Sequence, residues 1–209
     1  MGADTGSAPT DRPVEGSVAP GWEGIRDVFV ENGSPSGDDP GDHGAALCVI
    51  RAGEVVVDLA GGWRDHAGQV PFARDTLVNS YSVGKALTSA VALAAVTRGL
   101  VDLDEPVRTY WPDFPSDATL RQHLAHQGGL PAVREPLTDD VALDWRRMCA
   151  ALAATEPWWE PGAAHGYHTT TFGFVVGEPV RAAADAARFD DLLREWFARP
   201  LGCLLYTSP

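Results

Sequence analysis

The chain has 209 residues, a formal charge of −13 and 44% hydrophobic residues, enough for one sizeable packed domain or two small ones. So large an acidic excess argues against nucleic acid or an anionic membrane as a partner, because either requires a basic face. The three cysteines, Cys48, Cys149 and Cys203, are too few and too scattered for a disulfide framework or a zinc site, and read as reduced, mostly buried thiols.

Residues 1–20 have neither a basic start nor an apolar stretch, so they do not form a secretory signal, and their Gly, Ser, Pro and Asp content predicts a disordered tail. Ile25, Val28 and Phe29, with Trp22, fall at helical spacing and predict a short amphipathic helix. Residues 45–63 then give two β-rich runs around Arg51-Ala52-Gly53-Glu54, a hairpin with a glycine turn. Residues 75–82, DTLVNSYS, supply a short extended piece before a helix expected over about Ser82 to Arg98, with Gly99 as its stop. Beyond it the chain turns to short helices and loops. Asp104-Glu105-Pro106 reads as a helix cap, and Thr119 caps LRQHLAH. A helix follows over Ala142–Ala154, then the loop EPWWEPG, and finally an apolar stripe of Phe189, Leu192, Leu193, Trp196 and Phe197. The longest apolar run, Ala90 to Val96, is too short to span a bilayer, so the expectation is a soluble cytoplasmic protein.

The one lysine among sixteen basic residues, Lys85, stands three residues after Ser82. On a helix, positions i and i+3 share a face, which sets the amine against the serine hydroxyl. A serine is a weak nucleophile until a neighbouring base takes its proton, and lysine, unlike arginine, can do so when burial or a helix N-terminus lowers its pKa. The backbone N–H of Ser82, at the unpaired end of the helix, is a natural oxyanion donor. The plainer reading is a surface lysine in a first helical turn.

SVGK, followed by ALTSAVALAAVTRGLVDLDEPVRTYWPDF, resembles the serine-lysine segment of the penicillin-binding protein and class C β-lactamase superfamily, and within it the family VIII carboxylesterases. LRQHLAHQGGLP is similar to the segment leading to that family's GLP turn, PWWEPGAAHGYHTTTFGFVVGE to its tyrosine segment, and ARPLG to the end of a later helix. The resemblance covers about residues 22 to 202 and implies an α/β fold, an antiparallel sheet flanked by helices with a mostly helical inserted domain. It divides the chain into a part of the α/β domain carrying the nucleophile helix (21–100), a helical domain carrying the tyrosine (101–185) and a helix leading back (186–202).

The resemblance further implies a serine hydrolase acting on a small ester, or a lactam, without a cofactor or metal. Ser82 would be its nucleophile, and Lys85 and Tyr167 would exchange the proton; a phenol beside the lysine cation has its pKa lowered. Where the β-lactamases carry two substrate-binding amides, this chain has Thr169 and Val133, which tilts the expectation from lactams to esters. Trp158 and Trp159 are candidates for the wall of an acyl pocket, or for core packing. The family's third motif, on a strand that supplies the second oxyanion donor, has no counterpart before residue 209, and residues 203–209, CLLYTSP, do not continue the pattern and read as a foreign tail. An N-terminal fragment, unstable or inactive by itself, is therefore expected. Pro179 is expected to kink its helix. The sequence leaves other readings open: a β-lactamase or D-Ala-D-Ala peptidase-like amide hydrolase, a catalytically inactive binding module, or a metal site on the pairs His123/His126 and His165/His168.

Overall fold

The computed structural model describes residues 12–36, 38, 39 and 41–203. Its contacts divide the chain between Asn79 and Ser80 into two units.

The first unit is built on a three-stranded antiparallel sheet in the order β1 (Val14–Val18), β3 (Glu54–Gly62), β2 (Gly44–Arg51), with helix α1 (Glu23–Asn32) between β1 and β2 in sequence. The turn between β2 and β3 works as expected: Ala52 and Gly53 both have positive φ, 51° and 84°, the twist that suits a two-residue hairpin loop. Arg51 and Glu54 face each other across it. β3 is central, and Val57, Leu59 and Ala60 are buried. Phe29 of α1 lies over Gly61, where a Cβ would crowd its ring. The disordered tail expected over residues 1–20 does not hold for Val14–Val18, which form β1. Glu15, Gly16 and Ser17 look like loop residues, but β3 offers them a free edge, and Gly16, at φ 104°, passes so close to Asp58 that no side chain fits. Residues 1–11 of that expected tail lie outside the described residues. The extended piece expected at 75–82 forms no strand.

The second unit is helical: α2 (Gly84–Thr97), α3 (Leu120–Leu124), α4 (Asp139–Ala142), α5 (Trp145–Ala153), α6 (Phe172–Ala183), α7 (Phe189–Leu193) and α8 (Arg199–Leu201), with a π-helical turn over Arg194–Ala198 between the last two. Val91, Ala92 and Ala95 of α2 are buried with Met148 and Leu152 of α5 and Val175, Val176 and Val180 of α6 in one core. The boundary expected at residue 100 does not coincide with the division at Ser80, because the apolar face of α2 is buried in this helical core. α2 ends as expected: Gly99, at φ 69°, lets the Leu100 N–H reach Ala95 O at 3.0 Å and its own N–H reach Val96 O at 2.9 Å. Thr119 caps α3 reciprocally with Gln122. α6 continues through Pro179.

The thiols differ from expectation. Cys149 is buried, which pushes its pKa up to about 12, whereas Cys48 and Cys203 are exposed. Cys48 lies on β2, one sheet edge, and Cys203 follows the last helical turn. Among the described residues no helix is long and apolar enough to cross a membrane.

Candidate active site

Ser82 lies in a 3-10 turn, Tyr81–Val83, that leads directly into α2. Tyr81 has φ 42°, an unusual value for an aromatic residue, so the backbone is constrained immediately before the serine. One turn later Lys85 Nζ donates to Ser82 Oγ at 3.1 Å and to the Thr169 carbonyl at 2.8 Å. The second bond comes from far along the chain and fixes the amine over the serine. Lys85 Nζ also lies 4.8 Å from the centre of the Tyr167 ring and 5.9 Å from that of Phe172. Hydrogen bonding with the Ser82 hydroxyl, and then with Lys85, holds the Tyr167 phenol below its usual pKa. Ser82, Lys85, Tyr167 and the Thr169 main chain thus form one cluster at an exposed edge of the helical unit.

The tyrosine comes from a segment without regular structure, yet it is held tightly. Gly166 N–H donates to His126 O at 3.1 Å, and His168 N–H to His126 Nδ1 at 3.0 Å. His168 is buried; its Nδ1–H donates to Gly166 O at 2.6 Å while its Nε2 accepts the Leu130 N–H at 3.1 Å. These partners require the neutral imidazole, and burial lowers its pKa accordingly. Thr171, also buried, donates its hydroxyl to Leu130 O at 2.6 Å. The GGLP turn and the tyrosine segment are therefore laced together before α6 begins.

The other expected substrate-side residues have different surroundings. Trp159 stands edge-on to His168, with ring centres 6.0 Å apart, and fills the space over Gly166. Trp158 is half exposed, donates Nε1–H to Ala132 O at 2.9 Å and stacks under the Arg134 guanidinium at 4.3 Å. Val133 is partly buried against the core. Sequence reasoning did not single out His126, His168 or Thr171 as supports of Tyr167. The only signal was the pair of His-x-x-His spacings, considered for a metal. Among the described residues three of the ring nitrogens in those pairs are engaged in hydrogen bonds, and His123 has both nitrogens buried without a partner.

The β-lactamase family model matches residues 34–204. The chain belongs to the β-lactamase family. It is 36% identical over 162 residues to the esterase/β-lactamase LipL of Mycobacterium tuberculosis, a match covering 76% of this chain and 37% of that one. Against esterase EstB of Burkholderia gladioli the identity is 30% over 170 residues, 68% of this chain and 43% of the other. Among solved structures, a family VIII carboxylesterase superposes with a TM-score of 0.82 at 36% identity, covering 91% of this chain and 52% of that one. A penicillin-binding protein homologue from Caulobacter crescentus gives 0.80 at 34%, covering 91% and 51%. This β-lactamase-family chain thus has the fold expected, with antiparallel strands and a helical body, and spans about half the length of these solved relatives.

Proposed function

We propose that this chain carries the nucleophile site of a serine hydrolase that cleaves small esters through an acyl-serine intermediate. The observation that carries the reading is Lys85 Nζ, fixed between Ser82 Oγ at 3.1 Å and Thr169 O at 2.8 Å with the Tyr167 ring beside it. In this reaction Ser82 Oγ attacks the ester carbonyl as its proton passes to the Lys85–Tyr167 pair. The proton is handed on to the departing alcohol when the tetrahedral intermediate collapses. Water then attacks the acyl-serine, giving up a proton to the same pair, and the acid leaves as Ser82 recovers its hydrogen. The lowered pKa of Tyr167 supports this exchange, because it makes the phenolate, the form that can accept the serine proton, more available.

Esters are preferred over lactams because Thr169 and Val133 offer no side-chain amide to a substrate carbonyl. Two of the relatives carry esterase in their names, which supports the same choice. Trp158, half exposed, suits the wall of the acyl pocket; Trp159 acts behind it, as a support for the tyrosine segment.

A fluorophosphonate probe on a form extended to the length of its relatives, followed by peptide mass spectrometry, tests the reading. Modification at Ser82, absent in Ser82→Ala, is expected; an unmodified Ser82 sinks the proposal and favours a binding module. That extended form should hydrolyse short p-nitrophenyl esters in preference to a chromogenic cephalosporin, and the reverse preference would make the lactam reading the better one.

A further inference from the structure

His126 grips both neighbours of Tyr167. Its carbonyl accepts the Gly166 N–H at 3.1 Å and its Nδ1 accepts the His168 N–H at 3.0 Å, while its ring lies 4.8 Å from the tyrosine ring. The following carbonyl, Thr169 O, holds Lys85. One residue therefore sets both the phenol and, through the next peptide, the amine. His126 itself has φ 59°, in the left-handed region, which turns its side chain back onto the loop its carbonyl already holds.

From these contacts we infer that His126 is the positioning residue of the tyrosine segment, and that protonating its Nδ1 releases Tyr167 from Ser82. The inference rests on the serine hydrolase reading above and adds to it the group that limits reactivity in acid. Nδ1 is an acceptor in this arrangement, so the neutral ring carries its hydrogen on Nε2. A proton on Nδ1 would face the His168 N–H donor to donor, and that bond is lost. The groups facing the ring are His165 at 6.0 Å, His168 at 5.4 Å and Tyr167 from the tyrosine segment, and Lys85 from α2; Phe172 of α6, at 4.9 Å, carries no charge. Burial, then His165 and Lys85, disfavour the imidazolium, so the clamp stays closed near neutrality and opens only below the ordinary imidazole range. His168 titrates in the same direction but holds the segment through Gly166 and Leu130 instead.

The test compares, in a form extended to the length of its relatives, the pH dependence of fluorophosphonate labelling at Ser82 without substitution, with His126→Gly and with His126→Asn. Both replacements accept a left-handed backbone, and asparagine keeps an acceptor near the place of Nδ1 without being able to gain a proton. The glycine variant should label about fivefold to tenfold more slowly at neutral pH, the worth of one hydrogen bond. Asparagine should recover most of that loss and remove the part of the acid decline that belongs to His126. In parallel, 15N NMR of the unaltered chain should show the His168 amide shifting with the protonation of the His126 ring. An asparagine variant whose pH profile matches the unaltered chain, or a His168 amide indifferent to His126, overturns the inference. If no form labels at all, the hydrolase reading fails, and the NMR titration alone decides whether the clamp exists; it also decides if either variant does not fold.

Discussion

Ser82 and Tyr167 meet at one point but are brought there by different means. The serine and its lysine lie three positions apart where the 3-10 turn Tyr81–Val83 runs into α2, and their 3.1 Å contact follows from that i, i+3 spacing. The tyrosine stands on a loop whose conformation depends on His126, Leu130 and Trp159, residues 8 to 41 positions earlier in the chain. The first half of the site is local and exposed; the second is long-range, with His168 and Thr171 fully buried beneath it. The difference predicts where each half breaks: the serine side by removing a functional group, the tyrosine side by disturbing packing some distance from the chemistry.

The largest effect belongs to the local half. Lys85→Ala removes the group joining Ser82 to Thr169, and labelling of Ser82 should fall by about two to four orders of magnitude, the usual worth of a positioned acid-base group. The helix should persist, since alanine is a better helix former and Lys85 is not among the buried residues of α2. Circular dichroism checks this; a loss of helix together with labelling would mean that the lysine acts through folding.

The same contrast explains what the sequence revealed. Spacing sufficed for the contact between Ser82 and Lys85, for the Ala52-Gly53 turn, and for the stop at Gly99, because each depends on neighbours within a few positions. The tyrosine was reachable only by family resemblance, and its supports were not reachable at all. Nothing in the spacing of His126 and His168 tells a metal pair from two neutral rings that each accept a backbone N–H. β1 escaped for a related reason: its residues are strand-like only where β3 offers an edge.

The next effect is expected beneath the tyrosine segment. His123 is fully buried, has no partner for either nitrogen among the described residues, and meets Phe114 and His168 edge-on, with ring centres 5.2 Å and 6.3 Å apart. Burial, and then His168, press its pKa down to about 3, so the folded chain keeps it neutral while the unfolded chain takes a proton near the ordinary value of 6.5. The unfolded state then binds the extra proton between these two values. Stability should be constant above pH 6.5 and fall on acidification by about 1.4 kcal/mol per pH unit from this group, or about 2 kcal/mol by pH 5. Below about pH 3 both states are protonated and the slope ends. His123→Leu should remove this part of the slope and leave a chain relatively more stable at pH 5 than at pH 8. Urea unfolding at the two pH values measures it, and equal slopes in the two proteins would show that His123 is not what acid attacks.

The smallest effects come from the same single methyl group added to each half. At Gly166 a Cβ would stand 2.5 Å from the Trp159 ring, so Gly166→Ala must push the indole or the loop aside, at about 1–3 kcal/mol. Because Tyr167 is the next residue, labelling should fall with stability. At Gly99 no atom lies within 4 Å of the added carbon, and the cost is only that of alanine at φ 69°, about 1 kcal/mol. That strain falls at the far end of α2, fourteen residues from Lys85, and labelling at Ser82 should not change. Two variants with the same atom added would then separate stability from reactivity: both lower the urea midpoint, and only the alanine at position 166 slows the serine. If Gly99→Ala slowed it equally, the serine side would depend on the whole length of α2 and could not be the local half of the site.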